Sequence, residues 1–167
     1  MILIAFGANL PSAHGAPEVT LVHARQALEA HGVTVRAFSR IWRTPPVPAS
    51  DQPWYSNAAA RVETRLLPMD LLDLLKHIER DFGRIDTAAD APRVLDLDLL
   101  AYGDLITRDP ACFLPHPRMH MRGFVLYPLQ EVVPAGWCHP VLGHSVAAMI
   151  DALPDDQKLA PAQEKAA

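Results

Sequence analysis

The chain has 167 residues, enough for one domain with a packed core, and with half of them apolar and a fifth charged it is not a disordered protein. A net charge of −4 offers no basic field for a nucleic-acid backbone, so phosphate recognition has to be local and no nucleic-acid partner is expected. Cys112 and Cys138 have neither disulfide-framework nor zinc-site spacing, and the apolar start 1–6 lacks a basic flank and is too short to span a membrane; the expectation is a cytoplasmic protein with reduced thiols and no membrane partner.

Residues 1–6 are apolar on both faces, as in a central strand, and Gly7-Ala8-Asn9-Leu10-Pro11 follows with turn chemistry. Between 17 and 30, Leu21, Ala24 and Leu28 recur at helical spacing, with Pro17 suited to a first turn and Gly32 to a stop. The run 33–43 alternates, with Val33, Val35, Ala37 and Ile41 to one side, and predicts a strand. Pro45, Pro46, Pro48 and Pro53 then stiffen a loop over 43–55 that can be neither helix nor central strand, and so joins two strands or walls a site. Alternation resumes over 57–66 as the partner strand. Pro68 opens a second helix, in which Leu71, Leu74, Leu75, Ile78 and Phe82 form one stripe ended by Gly83. Glu79 is not on that stripe by this count and is expected as a solvated surface acid.

The densest chemistry lies in 92–102. As a strand it puts Asp96 and Asp98 on one face with Val94 and Leu100, and leaves Leu95, Leu97, Leu99 and Ala101 as a wholly apolar face. Carboxylates so placed lie on the order of 6–7 Å apart and repel by roughly 2–3 kcal/mol at an effective dielectric of about 20. Either the nearby Arg84 and Arg93 or a hard divalent ion taking oxygen ligands would offset that repulsion.

Beyond the strand, 106–113 reads as a short extended piece, 118–133 as helical, 146–153 as a further short helix, and 155–167 as a disordered tail after a single domain at 1–154. His116 and His120 stand four apart, as a metal pair could, but Pro117 and the lack of a third ligand argue against it. The order β, α, β, β, α, β predicts an α+β, ferredoxin-like sandwich: an antiparallel four-stranded sheet with two helices on one face, C-terminal additions, and the other face free to carry a site.

Several pieces occur in a telling order. They are Phe6-Gly7-Ala8-Asn9-Leu10, Arg43-Thr44-Pro45-Pro46, Tyr55-Ser56-Asn57-Ala58-Ala59, Ile78-Glu79 with Gly83-Arg84, and the stretch 92–100. Leu114-Pro115-His116-Pro117-Arg118-Met119-His120 and Arg122-Gly123-Phe124-Val125-Leu126 complete the set. Together they resemble the 6-hydroxymethyl-7,8-dihydropterin pyrophosphokinases, folate-pathway enzymes that transfer pyrophosphate from ATP to a pterin alcohol and release AMP. The resemblance implies that Asp96 and Asp98 ligate two Mg²⁺ ions bridging the ATP phosphates. It implies a pterin held between Tyr55 and Phe124, with Asn57, Thr44 and the backbone near Pro45 and Val47 reading its edge. Around ATP it sets Glu79, Arg93, Leu99 through its backbone, His116 and Arg122, with Arg84 and Arg93 as catalytic charge stabilisers. The chemistry agrees: flat rings suit a flat heterocycle, and guanidinium forks suit phosphate. No Gly-x-x-x-x-Gly-Lys-Ser/Thr loop occurs, so arginine and magnesium would do that work. The expected protein is a monomer whose partners are ATP and the dihydropterin.

One segment departs from the family pattern. Gly83-Arg84-Ile85-Asp86-Thr87-Ala88-Ala89-Asp90-Ala91-Pro92-Arg93 has Asp86 where arginine is usual, lacks a tryptophan and is a residue short. In the family this stretch closes over ATP, so a catalytically weak or inactive pterin- or nucleotide-binding module of the same fold is the alternative expectation. Lys76 stands where the family often has glutamine and is given no role.

Overall fold

The apolar runs are satisfied by one antiparallel sheet built from β1 (Ile2–Ala8), β2 (Thr34–Phe38), β3 (Trp42–Thr44), β4 (Tyr55–Glu63) and β5 (Asp96–Tyr102). Its order is β2-β4-β1-β5, with β3 continuing alongside β4. The structure, a computed structural model, describes residues 1–85 and 91–158. Helices α1 (Pro17–Ala30) and α2 (Pro68–Asp81) each begin on a proline, whose missing N–H costs nothing in a first turn. The fold is α+β, completed by a hairpin of β6 (Thr107–Asp109) and β7 (Cys112–Leu114) and by α3 (Gly123–Val132) and α4 (Val146–Asp151).

Strand alternation divides the interior in two. Ile4 and Phe6 of β1, Ala60 and Val62 of β4 and Leu97 and Leu99 of β5 meet Leu21 and Leu28 of α1 and Leu71, Leu75 and Ile78 of α2. Each such Leu, Ile or Phe contributes about 1.5–3 kcal/mol relative to an exposed one. On the opposite face Leu3, Ala59 and Leu100 pack beneath Val125, Leu126 and Leu129 of α3 and Met149 of α4. These two helices cover only part of that face, and the uncovered remainder becomes the floor of a cleft.

Several expectations about the elements need correction. The apolar face of β5 does not run unbroken to Ala101: Leu3 pairs with Ala101 but Ile4 with Leu99, so Leu100 is the extra residue of a bulge and Ala101 joins the α3 side. The strand expected over 33–43 is two strands, because at Ser39 the ladder is replaced by a side chain. Ser39 Oγ accepts the Ala59 N–H at 2.9 Å while the Ser39 N–H donates to the Ala59 carbonyl, also at 2.9 Å. The sheet therefore has five strand segments rather than four. The helix expected over 118–133 is a 3₁₀ turn at Met119–Met121 and then α3, separated by Arg122 in extended conformation. Of the segment expected as a tail, Asp155–Gln157 forms a 3₁₀ turn with Gln157 buried, and 159–167 lie outside the described residues. Among the described residues no helix is long and apolar enough to cross a membrane.

Candidate active site

The uncovered part of the sheet forms the floor of a cleft of about 760 Å³. Strand register sets its two ends. Gly7 pairs with Asn57 on one side and Asp96 on the other, and Ala5 pairs with Ala59 and Asp98. Residues directly opposite in an antiparallel ladder share a face, so an amide and two carboxylates stand on either side of a strip of minimal side chains. Gly7 has to be small: a Cβ there would come within 3.2 Å of Asn57 Oδ1.

At the carboxylate end α2 and β5 meet. Gly83, at φ +91°, takes the left-handed turn that ends α2 and sends the chain back, and the Arg84 N–H donates to the Glu79 carbonyl at 2.9 Å. Arg84 Nη1 thereby reaches both Glu79 Oε1 and, at 2.6 Å, Asp96 Oδ1. Arg93 Nη1 takes the other Asp96 oxygen at 2.9 Å. Of the two ways of offsetting the aspartates that the sequence left open, arginine is realised for Asp96. The Arg93 backbone is itself clamped, its N–H donating to Asn9 Oδ1 at 2.7 Å and its carbonyl accepting from the Asn9 and Leu10 N–H groups.

Glu79 is not the solvated acid expected. It is buried at 5% exposure and accepts the Leu97 N–H at 2.6 Å. Position 79 lies one turn after Leu75, so the side chain sits at the edge of the buried stripe, and the β5 backbone and Arg84 supply partners that the helical pattern does not reveal. Burial pushes its carboxyl up to about 7, against the pull of the Leu97 N–H and Arg84. Asp98 is pushed up to about 6, by burial first and the Asp96 charge second, with Arg122, Arg93 and Arg84 acting in the opposite sense. His116 is pushed down to about 4 by burial and by the Arg122 and Arg118 charges, so its imidazole is neutral near pH 7. The His116 backbone N–H donates to the carbonyl of the bulged Leu100 at 2.8 Å, and its ring Nδ1 accepts the Arg118 backbone N–H at 3.2 Å.

At the other end, Asn57 Nδ2 donates to Thr44 Oγ1 at 2.8 Å, and both residues are buried. Tyr55, at the start of β4, donates its hydroxyl to Gln52 Oε1 at 3.2 Å, and that oxygen also accepts from Asn9 Nδ2 at 3.2 Å. Phe124 enters from the first turn of α3, with the Arg122 guanidinium 5.4 Å from its ring centroid. The proline-rich loop is a wall of the cleft, which Pro45 and Val47 line. Each residue that the resemblance places in the site borders this one cleft, Leu99 included. His116 and His120 do not converge: His116 faces the cleft, whereas the His120 ring lies 6.0 Å from that of His139. Among the described residues no group of three or more His, Cys, Asp or Glu side chains is gathered for a metal.

Sequence reading missed Arg118 and Gln157, which also line the cleft. Arg118 lay inside a quoted motif and carried a usable signal, a cation two residues after His116; Gln157 carried none. Asp86 and the rest of 86–90, where the departure from the family pattern falls, lie outside the described residues.

A model of the 7,8-dihydro-6-hydroxymethylpterin-pyrophosphokinase family matches residues 3–134. The chain belongs to this family. It is 39% identical over 129 residues to the 2-amino-4-hydroxy-6-hydroxymethyldihydropteridine pyrophosphokinase of Haemophilus influenzae, covering 77% of this chain and 79% of that protein. The family member of the same description from Pseudomonas aeruginosa is 37% identical over 134 residues, 80% of either chain. The mitochondrial folate synthesis bifunctional protein of Arabidopsis thaliana is 36% identical over 143 residues, 86% of this chain but 25% of that one. The chain thus spans a quarter of the length of that longer relative.

Proposed function

We propose that the protein transfers pyrophosphate from ATP to the hydroxymethyl group of 6-hydroxymethyl-7,8-dihydropterin, releasing AMP. One observation carries this reading: a single cleft holds an aromatic and amide end and a carboxylate and arginine end, separated by the bare strip of Gly7 and Ala5. A flat heterocycle stacked between Tyr55 and Phe124, its edge met by Asn57 and Thr44, would direct its hydroxymethyl group along that strip toward the charged end. The order β2-β4-β1-β5 with α1 and α2 on one face supports a ferredoxin-like sandwich as the core.

The phosphate end suits a hard cation. Asp98 is held well above the ordinary carboxylate range by burial and by Asp96, so the ionised pair calls for positive charge, and its donors are all oxygen. Asp96 and Asp98 would hold magnesium, two ions on the family expectation, which supplies charge neutralisation and polarisation of the phosphoryl group when bound. The chain's own residues do the rest. Arg84, Arg93 and Arg122 fork onto phosphate oxygens, and Glu79 fixes Arg84. Neutral His116 and the Leu99 backbone complete the ATP side. The alcohol oxygen then attacks the β-phosphorus in line, the new P–O bond forms as the β-phosphorus bond to the bridging oxygen breaks, AMP leaves with that oxygen, and the hydroxyl proton passes to solvent water. Positioning and electrostatic stabilisation account for the rate, and no covalent protein nucleophile is required. Free Cys112 and Cys138 support a cytoplasmic setting, and we take the working species to be a monomer.

The deciding assay supplies ATP, Mg²⁺ and the dihydropterin to the purified chain and follows AMP and pterin pyrophosphate, with Asp96→Ala alongside. Stoichiometric AMP that disappears in the variant is the expected result. Tight pterin binding without AMP would replace this reading by a binding module.

A further inference from the structure

Gly123 opens α3 between Arg122 and Phe124, so whatever fixes its backbone fixes the approach of both side chains to the cleft. Its N–H, which has no partner within the helix, donates to Gln157 Oε1 at 3.3 Å. The Gln157 carbonyl is seated so closely on the glycine that a Cβ at 123 would overlap its oxygen, and Leu153 Cδ1 would be 3.5 Å from the same point. Gln157 is buried although it follows α4 by one short turn, and its residue lines the cleft. It lies past residue 134, where the match to the family model ends.

We propose that Gln157 is a positioning residue for the heterocycle end of the cleft. Through the Gly123 N–H and the close seat of its carbonyl it holds the first turn of α3, and thereby the ring of Phe124. An aromatic ring hangs on two torsions and follows its backbone, whereas Arg122 reaches its targets on a long adjustable stem. Loosening this strap therefore weakens the heterocycle contact more than the phosphate contact. The identity of the ligand rests on the pterin reading above; the hold on α3 does not.

The full chain is compared with Gln157→Leu, which removes the acceptor at similar size, and Gln157→Glu, which keeps an acceptor oxygen. Amide exchange at Gly123 is followed by NMR, with the Kd for the dihydropterin and the KM for ATP. Gln157→Leu is expected to expose the Gly123 amide to exchange and raise the pterin Kd about tenfold, with the ATP KM and kcat within about threefold; Gln157→Glu returns both readouts to near wild type. Should Gln157→Leu fail to fold, Gln157→Asn, which withdraws the amide by one methylene, gives the same split. An unchanged Gly123 amide, or an exposed one with unchanged pterin affinity, overturns the proposal. A wild-type chain that binds no dihydropterin would strike the function reading instead, and the Gly123 amide would still decide whether Gln157 holds α3.

Discussion

Asp98→Asn should make the metal-free protein more stable while abolishing its reaction. Burial and the neighbouring Asp96 raise the Asp98 carboxyl from 3.8 to about 6 in the folded chain. A carboxyl raised on folding contributes stability that is fully present below its unfolded value and lost as the pH climbs through its folded value. The full shift corresponds to about 3 kcal/mol above pH 6, and the open side of the cleft reduces this to about 1–3 kcal/mol. Asparagine does not ionise, so at pH 8 in EDTA the variant should gain that amount, a rise of about 3–8 °C in Tm for a chain of this size. At pH 4.5 the gain should shrink to about a third. The comparison has to be a difference between variant and wild type. Glu79, raised to about 7, loses stability with rising pH as Asp98 does, whereas His116, lowered to about 4, loses it as the pH falls below its ordinary value. Both slopes remain in the two proteins and largely cancel. Added Mg²⁺ with a non-hydrolysable ATP analogue should stabilise only the wild type. A variant less stable than wild type at pH 8 without divalent ions, or a gain independent of pH, would refute the view that Asp98 is held in an electrostatically costly place for the sake of a cation.

Further outcomes follow from the same geometry. Arg84→Ala removes the shared partner of Glu79 and Asp96; urea unfolding at pH 8 should show a loss of about 1–3 kcal/mol, and kcat should fall at least about a hundredfold. Gly7→Ala puts a methyl 3.2 Å from Asn57 Oδ1 on the floor of the cleft, so the KM for the dihydropterin should rise several-fold with the ATP KM unchanged. Asp86→Arg restores the charge usual in the family loop and should lower the ATP KM; an unchanged KM would show that this position does not touch nucleotide affinity.

Local pattern determined much of this protein. Proline and glycine positions bracket α1 and α2 because they act on the backbone where they stand, and the alternation of β1, β4 and β5 sorts their faces because strand geometry has a fixed period of two. The aspartates of β5 were visible as a charged pair for the same reason. What depended on other parts of the chain was hidden. Glu79 reads as a surface acid from its helix alone and becomes a buried acceptor only because β5 brings the Leu97 N–H to it. The break at Ser39 needs Ala59 opposite, and the shift of Ala101 needs a bulge set by pairing with β1.

The sequence by itself determined which residue types are present and which face of its own element each one takes, since these follow from covalent geometry and local sterics. Only the tertiary structure decided their company: that Asn57, Gly7 and Asp96 form one row across three strands, that Arg84 and Arg93 divide the oxygens of Asp96, and that Gln157 returns from the end of the chain to hold Gly123. Those meetings depend on sheet register and on the path of distant segments, and register is fixed by packing of the whole core rather than by any stretch of chain alone.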